Sequence, residues 1–267
     1  MDTKKTKVGI IGYGWVGKAM EQLFPDAIIY DPFNKNVPDY KKATKENINI
    51  CDIVFIGVPT PYTIDSKGLE GRLDTSIVEE CIKWCECPLI VIRSTVNPGF
   101  CDMVWQKYGK HVVFQPEYLG ESPAHPMLDP KQRPFIIMGG KPEDRRKLID
   151  LYTTVYNANV NIRQLTNFEA EIVKLTENRA IAFKVAESQE LYDACELAKV
   201  DYYTIREAVY GDDPRMTLWW TLIYPNKRGF NSKCIPKDVY AWSAWVESMG
   251  YKPEITRAIL ERNKKWI

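Results

Sequence analysis

No apolar run in this sequence is long enough to span a membrane, and none near the start has the form of a secretion signal. Met1-Asp2-Thr3-Lys4-Lys5 leads straight into the short run Val8-Gly9-Ile10-Ile11. Charge of one sign is lacking too. Lys and Arg total 36 against 35 Asp and Glu, a formal net charge of +1, so no global field would recruit nucleic acid or an anionic membrane surface. A small-molecule partner is expected instead. Histidine is scarce, with His111 and His125 the 2 in 267 residues. The 7 cysteines are odd in number and lack the density of a secreted disulfide framework, which points to a reducing cytoplasm. Cys81, Cys85 and Cys87 do not repeat the paired two-residue gaps of zinc sites; they read as buried apolar cysteines, and no metal is expected.

What is present is an alternation. Short apolar runs at Val8–Ile11, Ala27–Tyr30, Ile53–Gly57, Leu89–Ile92, Val112–Phe114, Phe135–Met138 and Val160–Ile162 predict strands. Amphipathic stretches at Val16–Phe24, Ser76–Cys85 and Glu143–Tyr156 predict helices between them, the pattern of an α/β fold with a parallel, Rossmann-type sheet. From about Asn167 the strand signals vanish, and a stretch with no Pro or Gly predicts one long helix to about Lys199. Further helices are expected at Tyr202–Tyr210, Asp238–Met249 and Pro253–Trp266, around an irregular segment from Gly211 to Pro236. The expected domains are 1–165, a dinucleotide-binding sheet, and 166–267, a helical domain.

Gly12-Tyr13-Gly14-Trp15-Val16-Gly17 is a GxGxxG sequence, weak alone but placed between a predicted strand and a predicted helix. Gly12 can make the tight turn, Gly14 lets the backbone approach a pyrophosphate, and Gly17 allows close helix–strand packing. The helix N-terminus supplies free N–H donors and partial positive charge. Asp31 follows at the end of the second strand, about 20 residues on, where a carboxylate accepts from ribose hydroxyls. A 2′-phosphate would meet like charge there, so NAD is expected over NADP. The alternative is a structural glycine turn with a solvated Asp.

Further blocks follow later strands: Val58-Pro59-Thr60-Pro61, Ser94-Thr95-Val96-Asn97-Pro98-Gly99 and Pro116-Glu117-Tyr118-Leu119-Gly120-Glu121. The long helix carries Glu171, Lys174, Asn178 and Lys184, then Cys195-Glu196, and Lys233-Cys234-Ile235-Pro236-Lys237-Asp238 comes near the end. In this order the blocks resemble the nucleotide-sugar 6-dehydrogenases, the UDP-glucose/GDP-mannose dehydrogenase family, over nearly the whole chain. The resemblance implies NAD-dependent oxidation of a C6 alcohol on a nucleotide-linked hexose to a carboxylate, through a thiohemiacetal and a thioester on a cysteine. It implies Cys234 as the nucleophile, with the helix start and a nearby cation favouring thiolate. It further implies Lys174 and Asn178 at the developing oxyanion, and Asp238 holding a water with Lys174 as proton acceptor. Glu117 would help activate the water that hydrolyses the thioester, and Thr95 would hold that water or the nicotinamide side. Val58, Pro59, Thr60, Ser94, Thr95 and Glu121 would line the cofactor. A homodimer through the central helix is implied as well, and the apolar segment Trp219-Trp220-Thr221-Leu222-Ile223-Tyr224 offers either a contact or core. The plain alternatives are a solvated charged stripe for Lys174 and Asn178, loop acids for Glu117 and Glu121, helix caps for Thr95 and Asp238, and a small hydrophobe for Cys234.

Two departures stand against the resemblance. Relatives usually continue into a second α/β domain that grips the nucleotide, whereas this chain stops at Ile267, so that half is expected to be missing. Relatives also carry a loop of the form Pro-Gly-x-Gly-Phe-Gly-Gly-Ser-Cys, which here reads Pro225-Asn226-Lys227-Arg228-Gly229-Phe230-Asn231-Ser232-Lys233-Cys234. Lost glycines remove backbone freedom and close approach. Lys227, Arg228 and Lys233 together offer a phosphate or carboxylate site, or else a solvated basic turn. Three readings follow in order: a compact nucleotide-sugar dehydrogenase, an NAD-dependent dehydrogenase of a smaller hydroxy acid or sugar phosphate, and a non-catalytic NAD-binding partner protein.

Overall fold

The computed structural model describes residues 5–64, 70–120, 125 and 127–267. It divides into two compact units, residues 1–61 with 73–174 and residues 62–72 with 175–267. Among the described residues no helix is long and apolar enough to cross a membrane.

The first unit is built on a five-stranded parallel sheet: β1 (Val8–Ile11), β2 (Ile28–Tyr30), β3 (Ile53–Ile56), β6 (Leu89–Ile92) and β7 (Val112–Phe114), in the order β2-β1-β3-β6-β7. A single parallel bridge from Ile29 to Lys42 extends it beyond β2. β1, β3 and β6 are buried along their whole length, as strands covered on both faces must be. Alternation then sorts their side chains. Val8, Ile10, Ile53, Phe55, Leu89, Val91 and Val113 join one apolar layer with Met20, Leu23, Leu148 and Tyr152. Ile11, Val54, Ile56, Ile90, Ile92, Val112 and Phe114 join the other, with Val78, Ile82, Val104 and five of the cysteines, Cys51, Cys81, Cys85, Cys87 and Cys101. The order in which successive strands are added reverses between the parallel neighbours β1 and β3, whose carboxyl ends therefore flank the crevice where such sheets bind ligands.

Helices α1 (Trp15–Leu23), α2 (Lys45–Asn49), α3 (Ser76–Trp84), α4 (Phe100–Tyr108) and α5 (Pro142–Tyr152) link the strands, and β8 (Phe135–Met138) pairs in parallel with β9 (Asn161–Gln164). Helix α5 is shorter than its pattern predicts. The hydroxyls of Thr153 and Thr154 donate back to the carbonyls of Asp150 and Leu151, both at 2.7 Å, and end it. A short two-stranded pair, β4 (Tyr62–Ile64) and β5 (Glu70–Leu73), is not predicted by the pattern, and neither α2 nor α4 is singled out by it.

The long helix α6 (Asn167–Ala198) matches its expected bounds within a residue. The second unit adds α7 (Tyr202–Arg206) with a π-helical turn at Glu207–Gly211, then α8 (Ile235–Ser248) and α9 (Glu254–Asn263). Its small core joins Ala182, Phe230, Val239, Tyr240 and Leu260. The β4 residue Tyr62 stacks on Tyr240 of α8, with centroids 6.0 Å apart.

At its N-terminal end α6 is tied to the sheet by side chains. Asn167 accepts from the Phe114 N–H at 2.8 Å and donates to the Val112 carbonyl at 2.9 Å, completing the outer edge of β7. One turn on, the fully buried Glu171 accepts from the N–H groups of Gly99 at 2.6 Å and Cys101 at 2.9 Å, at the start of α4. Leaving two such backbone groups unmet costs about 1–3 kcal/mol each. Asn167→Leu is therefore expected to lose at least about 2 kcal/mol in urea unfolding; an unchanged midpoint would show that water replaces the amide without loss.

Candidate active site

The glycine turn follows β1 directly. Gly12 has φ 89°, and its N–H reaches the Tyr30 carbonyl at 3.0 Å. A Cβ there would lie 2.6 Å from the Gly57 carbonyl oxygen, and a Cβ on Gly17 would lie 2.1 Å from the Gly12 oxygen. Both positions require glycine for packing. Gly14 differs: nothing lies within 4 Å of where its Cβ would be. Open space over the residue that caps α1, with no acid in the helix's first turn, fits a pyrophosphate on the free N–H groups. Trp15 is exposed and Val16 half-buried against Gly57.

Asp31 stands beside this turn. One carboxylate oxygen accepts from the Tyr13 N–H at 2.8 Å, and the other from Phe33 and Asn34 at 3.2 and 3.1 Å. These bonds fix the carboxylate and leave acceptor capacity for a ribose hydroxyl. Asn34 returns a bond to the Tyr13 carbonyl at 2.8 Å. Below, the Tyr13 hydroxyl donates to Glu21, which Lys41 also binds, at 2.5 Å. Burial and the Glu21 carboxylate push the Tyr13 phenol up to about 12.

The loops after β3 and β6 are clamped to each other. Ser94 Oγ accepts from the Val58 N–H at 2.8 Å and donates to the Val58 carbonyl at 2.7 Å. Ser94 and Thr60 are buried, Val58 and Thr95 half-buried, and Pro59 exposed. Ser94 thus shapes the loop that Val58, Pro59 and Thr60 form. Glu121 lies outside the described residues.

Glu117, after β7, meets four N–H donors among the described residues. Tyr118 N–H at 2.8 Å, Leu119 N–H at 2.9 Å and Arg133 at 2.5 Å share one oxygen, and Arg93 holds the other. Burial alone would raise this carboxyl, but Arg93 and Arg133 outweigh it and hold it at about 2. A carboxylate whose lone pairs are taken by two guanidiniums and two amides is a weak base at neutral pH. Arg93 and Arg133 were not singled out from sequence, although Arg93 is a charge directly after an apolar strand. Glu171 shows the opposite: burial raises it to about 7 despite the Cys101 and Gly99 N–H groups.

Lys174, also buried, places its ammonium 4.8 Å from the Tyr118 ring centroid. It closes the first unit; Asn178 belongs to the second. There Asn178 Nδ2 donates to Asp238 at 2.6 Å, and Lys237 Nζ binds the other Asp238 oxygen at 2.7 Å. Asn178 on α6 and Asp238 in the first turn of α8 are both buried. Cys234 is exposed at the N-cap of α8, and its carbonyl accepts from the Asp238 N–H at 3.0 Å. The exposed Cys234 and the buried Asp238 thus stand on consecutive turns at the start of α8, with Asn178 of α6 against Asp238.

The comparisons with known proteins decide the family. The profile of the UDP-glucose/GDP-mannose dehydrogenase family, NAD binding domain, matches residues 26–158, and that of its central domain matches residues 168–265. The chain belongs to this family. It carries the family's NAD-binding domain, and the glycine turn, which precedes the matched residues, rests on the geometry above. UDP-glucose 6-dehydrogenase of Pseudomonas aeruginosa is 25% identical over 260 residues, covering 90% of this chain and 54% of that protein. The Rickettsia conorii enzyme of the same name is 30% identical over 227 residues, covering 80% and 49%. This chain spans about half the length of these relatives. A UDP-glucose dehydrogenase from Pyrobaculum islandicum shares the fold with a TM-score of 0.81 at 23% identity, over 99% of this chain and 69% of that one. A GDP-mannose dehydrogenase from Pseudomonas aeruginosa gives 0.64 at 21% identity, over 98% and 69%.

The altered loop ahead of Cys234 does not assemble a basic trio. Arg228 is engaged with Gln189 and, at 2.6 Å, Asp193, and its guanidinium lies 4.6 Å from the Tyr192 ring centroid. Lys227 and Lys233 remain exposed. In the segment 219–224, Thr221 and Ile223 are buried while Trp219, Leu222 and Tyr224 are about half exposed, so it is part core and part surface.

The Glu117 network carries a pH signature. Its carboxyl is depressed below the ordinary 4.5, so its stabilisation is complete above that value and is lost as pH falls through it toward 2. Glu117→Gln, which leaves two guanidiniums without a counter-charge, is expected to cost about 3–5 kcal/mol at pH 7. Between pH 5 and 2 the variant should lose less than the parent in urea unfolding. An identical pH dependence in both would remove Glu117 from the account.

Proposed function

We propose that this protein oxidises the C6 alcohol of a nucleotide-linked hexose, of the UDP-glucose type, to the uronic acid with two equivalents of NAD. The observation that carries this is the exposed Cys234 thiol at the start of α8, one turn ahead of the buried Asp238 that Asn178 and Lys237 hold. Family membership and the named relatives support the same chemistry. Bound NAD supplies the hydride acceptor for both oxidations.

The alcohol gives up a hydride from C6 and its hydroxyl proton, leaving an aldehyde. An aldehyde is a poor hydride donor until a nucleophile adds, so the Cys234 thiolate forms a C–S bond and a thiohemiacetal. Loss of a second hydride and the hydroxyl proton gives a thioester. Water then adds to the acyl carbon, the C–S bond breaks, and the thiol is regenerated beside a carboxylate. In sum one alcohol, one water and two oxidised NAD become a carboxylate, two NADH and three protons.

Lys174 and Asn178 are assigned to the oxygen that gains charge in each step, where fixed N–H donors act most strongly. Asp238, oriented by Lys237 and Asn178, is assigned to the hydrolytic water. Thr95 assists there in place of Glu117, whose carboxylate is occupied by Arg93 and Arg133. Asp31 favours NAD over NADP by like-charge repulsion of a 2′-phosphate.

The test is a panel of nucleotide sugars, UDP-glucose and GDP-mannose included, with NADH counted against sugar consumed. About two NADH per sugar, abolished in Cys234→Ser with NAD binding retained, is the expected result. No turnover on any nucleotide sugar, with NAD bound and a smaller hydroxy acid or sugar phosphate oxidised, would replace this substrate class.

A further inference from the structure

The loop before Cys234 has lost glycines that its relatives keep, yet it is not loosely held. Phe230, four residues ahead of the thiol, is anchored at three points. Its ring is buried in the core that Ala182, Val239 and Leu260 form. Its N–H donates to Asn263 Oδ1 at 2.8 Å, and its carbonyl accepts from Asn263 Nδ2 at 2.9 Å. Asn263, the last residue of α9, is itself buried.

The one glycine of this stretch serves that contact. Gly229 has φ 67°, and a Cβ on it would lie 2.5 Å from Asn263 Oδ1 and 3.3 Å from the Trp266 Cβ. Arg228 adds a second fastening through Asp193, which also binds Arg262 at 3.1 Å and Trp266 Nε1 at 3.0 Å. Past the anchor, Ser232 Oγ accepts from the Ile235 N–H at 3.1 Å and caps the first turn of α8.

We infer that Asn263, with the Arg228–Asp193 pair behind it, is a positioning device that sets the loop and the start of α8 and so aims the Cys234 thiol. The inference rests on the reading of Cys234 as the nucleophile. Two neutral side-chain bonds to one backbone unit fix both its position and its rotation, which a single contact cannot do. The end of α9 supplies the ordering of this loop. Arg228 acts inside the fold, while Lys227 and Lys233 remain exposed. Misaiming of a reacting group by about 1 Å can cost as much as 10²-fold in rate.

Alkylation reads this directly, because Cys234 is exposed and the other six cysteines are buried. Iodoacetamide labelling of the Cys234 peptide is followed by mass across pH 6–9 in the parent, Asn263→Ala, Asn263→Asp and Asp193→Asn. The expected result is a Cys234 labelling profile displaced in both Asn263 variants, with kcat about tenfold lower while KM and the NAD dissociation constant stay within about twofold. Asn263→Asp, which keeps the acceptor and loses the donor, falls between parent and Asn263→Ala. If Asn263→Ala does not fold, Asn263→Asp and Asp193→Asn carry the test. Unchanged labelling and kcat in a folded Asn263→Asp would overturn the inference. Failure of the parent to oxidise any nucleotide sugar would strike the reading of the reaction, while the labelling profile would still decide the brace.

Discussion

Where a parallel strand stops, its ladder stops with it, and the backbone groups beyond must find partners in an interior that excludes water. In this protein side chains meet that demand at each functional turn. Asp31 takes the Tyr13 N–H behind the glycine turn, Ser94 takes both polar groups of Val58, and Glu117 takes Tyr118 and Leu119. Glu171 starts α4, and Asn167 and Asn263 each close on an N–H and a carbonyl of one segment. The loops that carry chemistry are irregular in conformation and fixed in place for the same reason.

Two buried glutamates show how the partner type decides the charge. Both accept backbone N–H bonds and both are desolvated, which disfavours the anion. Glu117 has two guanidiniums in contact and is driven to about 2; Glu171 has N–H dipoles and the Cys101 thiol, with the Asp102 charge against it, and rises to about 7. Full charges outweigh burial and dipoles do not.

The sheet was legible because burial on both faces leaves a simple mark: β1, β3, β6 and β7 are near-continuous runs of β-branched and apolar residues between turns. The glycine turn and Asp31 were legible because sterics at Gly12 and Gly17 leave no other residue. The hairpin β4–β5 was not, since its strands are short and Tyr62–Ile64 is exposed, so neither length nor alternation marks it. The partners of the site residues were hidden as well. Nothing in local sequence says that Arg133 reaches back to Glu117, or that Asn263 holds Phe230 from 33 positions away. Such pairs are set by packing between distant elements. The basic trio of the altered loop is not assembled for the same reason, because Arg228 finds Asp193 on α6.

The central claim is that Cys234 carries the substrate covalently between two oxidations. Turnover with NAD and UDP-glucose, quenched in acid and mapped by mass, tests it most directly. The account predicts a fraction of the Cys234 peptide bearing the uronyl group as a thioester, lost on hydroxylamine treatment. A reaction that forms about two NADH per sugar while the Cys234 peptide stays unmodified at every time point, and while Cys234→Ser still completes it, would contradict the account.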